Sequence, residues 1–400
     1  MTTNRSSDTT KRVTLSDIGR EPFRVFFPAA VLAGVTGVTL WPLYFSGLTK
    51  FYPGQSHARI MAQGLFGGFI LGFLGTAMPR MLSAAPLGVV NVLVLLTLYG
   101  SMTISLAIHR FTAGGSLFVG LLSFFIVLML LRARKREDNP PPGFVLVALA
   151  ILCALAGGIL SILEPRINEE GAYWVDLGRR LTYQAFVLLP ILGIGPFLLP
   201  RFFGLQSAQD FPQSRAPSRA WIKKASLALA AGLLIVASIF IELKGWVRAA
   251  HGLRFLTILC YLAFEFPFRL APRFNNALGA SLYIAFAALV SGFLCIALFP
   301  QWRVGLLHLT LVGGFAVITF TVATRVLFGH SGNLEKLKGR NRWLLVAVGL
   351  MLFGMATRIS GDFWPKIMAS HYTYGAILWV AGVSVWSFFA LPKIFQTEPE

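Results

Sequence analysis

Charge is scarce in this sequence of 400 residues: only 13% are Asp, Glu, Lys or Arg, and just 16 are acidic. A water-soluble domain usually carries about 25% charged residues. With 56% hydrophobic residues and a mean hydropathy of +0.70, the chain lacks the polar surface that would keep it dissolved. Cysteine is equally sparse. Cys153, Cys260 and Cys295 all fall within apolar runs, and no CxxC or CxxCH occurs, which excludes a disulfide framework and covalent c-type haem attachment. Walker, HExxH, GxSxG and dinucleotide-binding patterns are also missing from any suitable context, so nucleotide binding and soluble-type hydrolysis have no support.

What the sequence does have is long apolar runs, twelve of them, each able to cross a hydrocarbon core about 30 Å thick. They cover about 23–48, 58–78, 87–109, 113–133, 142–163, 177–200, 220–244, 250–271, 276–299, 302–328, 341–361 and 370–392. The first run is too long for a signal-peptide core and is read as a retained helix. The expected fold is therefore all-α, a polytopic helical protein of the lipid bilayer. The net charge of +19 does not point to nucleic acid, because Lys and Arg crowd into short loops such as RARKRED (132–138), 201–224 and EKLKGRNR (335–342). That asymmetry places these loops and both termini in the cytoplasm. The Pro-, Ser- and Gln-rich segment 201–219 reads as a linker between halves 23–200 and 220–394 of one membrane domain. Residues 1–22 read as a basic, disordered tail.

Given this topology, His57, His109, His251, His308 and His371 lie towards the external side and His330 at the cytoplasmic end. A histidine at a membrane interface usually caps or solvates, which is the plain reading of His109, His251 and His371. His308 lies about 9 Å inside its span and needs a partner within the bundle. In SHARIMAQGLFGGFILGFLGTAMPRM (56–81), His57, Gly64, Gly68 and Gly72 follow helical steps and share one face, along which a helix or a flat cofactor can approach closely. His308 and His330 are about 33 Å apart on one helix and cannot bind the same metal. His330 then caps its helix or forms a separate cytoplasmic-side site. Glu242, Glu265 and Arg325, with Arg269 and Arg273 near an inner end, are costly inside a bilayer and mark ion pairs or a polar pathway.

Two segments carry a resemblance. HARIMAQGLFGGFILGFLGTAMPRM (57–81) resembles the NnrS family's HxHEMxxGfxxAxxxGFLxTAxP, and HLTLVGGFAVITFTVATRVLFGHSG (308–332) resembles its HxxTxGxxxxxxxxVxTRxxxGHxG. GIGPFLLPRFF (193–203) is a weaker match to GGRxIPFFTRN. The second motif carries most weight, because it matches Thr324, Arg325, Gly329 and Gly332 together with both histidines. The resemblance implies a bacterial inner-membrane protein containing haem and copper, linked to nitric oxide metabolism and nitrosative-stress tolerance, with nitric oxide as its small gaseous ligand. With b-type haem so implied, His57 and His308, in the same external layer, are the expected ligands and Gly64 and Gly68 allow close approach; Arg59 either snorkels to the interface, the plainer reading, or pairs a propionate. His251, His371 and His330 are further metal-ligand candidates. The chain departs from the pattern at Ala58, Arg59 and Ile60, which replace HxHE beyond its first histidine, and at Ile194, which stands for an arginine. A site needing both histidines of HxH cannot form on this span, so copper has less support than haem.

Two other functions are compatible with these residues. Twelve spans with a central cytoplasmic loop also suit a secondary transporter. A family member without metal, serving as a structural partner, is the other. The orientation is open to direct test: a reporter fused after Glu400 should be active if it is of the cytoplasmic type, and periplasmic activity there would invert every sidedness statement above.

Overall fold

A computed structural model describes residues 11–164, 171–266 and 276–397. Glu169, Glu170, Arg269 and Arg273 lie outside the described residues. Among the described residues, twelve helices are long and apolar enough to cross a membrane: α1 Phe23–Phe45, α2 Gly54–Met81, α3 Val89–Ala107, α4 Phe111–Arg134, α5 Phe144–Leu163, α6 Ala172–Phe203, α7 Arg219–Leu243, α8 Val247–Glu265, α9 Ala277–Leu298, α10 Pro300–His330, α11 Arg342–Phe363 and α12 Pro365–Phe395. All twelve expected spans are present. The protein is a helical membrane protein, and the only pairing of strands among the described residues joins Lys11–Arg12 to Gln396–Thr397.

The helices are not equivalent. α2, α6 and α10 are the most enclosed, and each is interrupted by a π-helical stretch: Ile60–Phe66, Leu181–Ala185 and Leu309–Ala316. They are the second members of the successive quartets α1–α4, α5–α8 and α9–α12. The first or second residue of each π stretch is β-branched and seated against a glycine of the preceding helix. Ile60 sits on Gly37, Thr182 on Gly157 and Thr310 on Gly292, where an added Cβ would collide. The linker at 201–219 does not separate two packing units, because α5 packs on α7 across it and α1 packs on α12. It is tied down at several points: Gln209 donates to Glu265 at 3.0 Å, and Gln213 to Ser83 at 3.0 Å.

At the end that carries the termini, the starts of α7, α9 and α11 are capped by side chains. Ser218, Asn276 and Asn341 accept from the backbone N–H groups of Trp221, Gly279 and Leu344. The expected disordered tail is structured over its second half. A short helix, Leu15–Arg20, starts at Thr14, whose N–H donates to the Asp17 carboxylate at 2.8 Å. Its Gly19 packs on the backbone of Gly88 and Val89.

The glycine stripe of α2 faces α1. His57, Gly64, Gly68 and Gly72 do share that face, but α1 fills it. A Cβ on Gly64 would meet Ala33 at 3.0 Å, and one on Gly68 would meet Ala30 at 2.7 Å and the Tyr99 hydroxyl at 2.9 Å. Gly64 and Gly68 therefore serve helix packing, and neither lines the large cavity of the bundle. Replacing Gly68 with Leu should force α1 and α2 apart and cost about 1–3 kcal/mol or more. Thermal unfolding in detergent measures this, and an unchanged midpoint would contradict the packing described here.

Candidate functional site

At the end of the bundle opposite the termini, α1, α2, α6, α7, α8, α10, α11 and α12 enclose a cavity of about 650 Å³. That is ample for a cofactor-sized ligand. Its floor is made by the three π stretches, through Met61, Ala62 and Phe66, Tyr183 and Gln184, and Leu311, Val312 and Ala316. A π turn adds a residue to the helical circuit and bulges the backbone, often at functional sites. Trp41 packs edge-on against the rings of Tyr52, His57 and Tyr372, lining the cavity with aromatic surface. Beyond Phe66 a second, smaller cavity of about 90 Å³ lies between α2, α6 and α10, lined by apolar side chains such as Phe69, Val187 and Ile318.

Three of the sequence-predicted histidines meet at the large cavity: His57, His251 and His308. His57 donates from Nδ1 to the Gly37 carbonyl at 3.0 Å, and His308 donates from Nδ1 to the Val304 carbonyl at 2.9 Å. These bonds fix the ring orientations and leave Nε2 of each ring as the free acceptor. Neither Nε2 has a partner among the described residues. A backbone carbonyl holding Nδ1–H is the usual arrangement that prepares the other imidazole nitrogen to bind a metal. His251 differs: it is wholly buried against Phe293, and its Nε2 lies 3.6 Å from Glu242.

The remaining candidates lie elsewhere. Arg59 is buried, bonded to Glu164 at 2.6 Å and stacked over Phe111, so it is committed within the protein and unavailable to a propionate. His371 Nδ1 lies 2.7 Å from the Ser360 hydroxyl, outside the cavity lining. His109 sits in the α3–α4 turn with positive φ, next to Ser56. Among the described residues, no group of three or more His, Cys, Asp or Glu side chains is placed to hold a metal ion.

Sequence reasoning missed the cavity's arginines. Arg180, Arg254 and Arg303 all converge on the buried Glu242, at 3.1, 2.7 and 3.4 Å. Arg358 pairs with Asp362 at 2.7 Å and covers the Tyr372 ring. One signal was available in α8, where His251, Arg254, Ile258, Tyr261 and Glu265 recur at helical spacing and are all buried. Glu265 itself belongs to a separate cluster at the opposite end, paired to Lys224 at 2.8 Å.

His330 lies at that opposite end of α10, 2.6 Å from Glu21, whose carboxylate also accepts from Arg80 at 2.6 Å and Arg24 at 2.7 Å. Arg24 in turn donates to the carbonyls of Ile394 and Gln396. Burial alone would raise the Glu21 pKa, but the hydrogen bond and charge of His330, with Arg24 and Arg80, outweigh it and hold the carboxyl at about 2. Thr324 fixes the same half of α10, accepting from the indole N–H of Trp386 at 2.8 Å.

These features define a class: a polytopic helical membrane protein with an internal chamber lined by histidine and arginine. The sequence pattern of the family described as NnrS protein matches residues 18–397. The chain belongs to the NnrS family. No curated protein matches it.

The Glu21 network makes a pH prediction. A carboxyl whose pKa is depressed on folding stabilises above its unfolded value, near 4.3, and that stabilisation is lost as pH falls through about 2. The protection factors of the Leu15–Glu21 amides, exchange rates taken relative to the unfolded chain at the same pH, should thus hold steady from pH 7 to about 4.5 and fall below it. Glu21→Gln should lower them already at pH 7, costing about 1–3 kcal/mol. Equal protection in the variant would mean the network does not hold this segment.

Proposed function

We propose that the large cavity holds a b-type haem ligated by His57 and His308, and that the protein acts in bacterial nitric oxide metabolism or the nitrosative-stress response. The observation that carries this reading is the pair of imidazoles facing one cavity, each with Nδ1 tied to a backbone carbonyl and Nε2 free. The donor set fits haem, since the porphyrin supplies four iron ligands and the protein needs to add only one or two. It fits copper less well, because a protein copper site commonly gathers three or more nitrogen or sulfur ligands. Copper is therefore left out of the proposal.

A bound haem would supply an iron centre able to take up a small diatomic ligand or pass an electron. The chain's own residues would do the rest. The Gly37 and Val304 carbonyls hold the two ring planes and fix the tautomers. Leu311, Val312, Met355 and Trp379 supply apolar surface for a flat macrocycle and exclude water. The smaller apolar cavity beyond Phe66 suits a neutral gas better than an ion, since its lining offers almost no polar partner. In this reading the cavity opens on the external side of the bacterial inner membrane and both termini face the cytoplasm.

The test is the haem absorption of protein purified from haem-replete cells. His57→Ala and His308→Ala should each lower haem content by about tenfold or more, while membrane yield stays near normal. His330→Ala should leave it unchanged, being about 33 Å away along α10. Full haem content in both cavity variants, or none in the parent protein, would overturn the proposal.

A further inference from the structure

Among the described residues, the charges beside the cavity do not balance. Glu164, Asp176 and Glu242 are linked by ion pairs to Arg59, Arg179, Arg180, Arg254 and Arg303. Five guanidinium groups thus meet three carboxylates, and arginine stays protonated in proteins. Three of the five, Arg180, Arg254 and Arg303, converge on Glu242, whose side chain is 1% exposed, and Arg180 also pairs with Asp176. Excess cationic charge in such surroundings is costly unless a further anion accompanies it.

A second observation points the same way. His251 is fully buried beside the cavity; its Nδ1 has no hydrogen-bond partner, and its Nε2 comes no nearer than 3.6 Å to the Glu242 carboxylate. A buried polar group left in that state calls for a ligand or an ordered water. Arg180 and Arg303 face the same cavity. Arg303 meets Glu242 only at 3.4 Å and keeps 40% of its side chain exposed, so most of its donors remain free. Planar forks of this kind suit carboxylates and oxyanions.

We propose that the wall formed by Arg180, Arg303 and His251 is an anion site for a carboxylate or small oxyanion. It rests on reading the cavity as a ligand chamber, but not on the ligand being haem. Two sources carry the same chemistry: a propionate of a bound porphyrin, or a free oxyanion.

The test uses the full-length purified protein and two probes. In the first arm, sodium nitrate and sodium formate are titrated calorimetrically into the protein as isolated. In the second, retention of haem is compared with retention of haem dimethyl ester, which lacks the propionate charges. Saturable binding of nitrate or formate, weakened about tenfold or more by Arg303→Gln and largely restored by Arg303→Lys, assigns the site to a free anion. Loss of the ester relative to haem, with that preference abolished by Arg303→Gln, assigns it to propionates. Lys366→Gln, at an exposed position outside the cavity, should change neither result. Gel filtration of each variant shows that it is folded. Absence of both effects in folded protein overturns the anion site. A parent protein without haem would sink the haem reading and leave the first arm decisive.

Discussion

Inside a hydrocarbon layer every backbone N–H and C=O must find a partner within the protein, and helices survive there because they satisfy their own. A π turn loosens that arrangement, so it is tolerable only where protein surrounds it. The three helices that carry one, α2, α6 and α10, are the three most enclosed. The rest of the architecture follows from keeping them so. Other helices pack around them, and Gly37, Gly157 and Gly292 let the preceding helix come close enough to seat each π stretch. The bulges then meet at one level and floor the same cavity, which three straight helices packed ridge into groove would tend to fill.

Electrostatics divides the molecule along its axis. At one end, Glu242 gathers Arg180, Arg254 and Arg303 beside the two imidazoles with free Nε2. At the other, Glu21 gathers Arg24, Arg80 and His330, and Arg24 reaches the carbonyls near the C-terminus. The first cluster opens onto a cavity and carries surplus positive charge. The second lies among the chain ends and holds the segment before α1 against α2, α10 and the last residues. One carboxylate among several cations does different work in the two places because only one of them adjoins empty space.

The twelve spans were legible because continuous apolar runs report burial in lipid directly. Their ends were less so. α6 begins at Ala172, five residues before the apolar run expected from 177, because Asp176, Arg179 and Arg180 pair with one another and with Glu164 and Glu242. Hydropathy treats such charges as leaving the membrane; Arg303 and Arg358 fall within the expected spans 302–328 and 341–361, but next to their external ends, where a charge reads as interfacial. The histidine pair was legible from topology and motif together. The shared face of His57 and the glycines was legible from spacing, but spacing cannot say what approaches it, and the partner is α1. Arg59 illustrates the same limit, since its partner Glu164 lies 105 positions away in sequence.

The cavity wall has a consequence for how the protein is made. Its lining draws on the first span through Val38 and Trp41 and on the last through Tyr372, Gly375, Ala376 and Trp379. A chain emerging from the ribosome therefore has no complete chamber until its twelfth helix has entered the membrane. Until then Arg254 and Glu242 must be carried by local pairing between α7 and α8, and whatever occupies the chamber can settle only in the finished bundle. Any ligand that needs the whole wall can therefore bind only after insertion is complete.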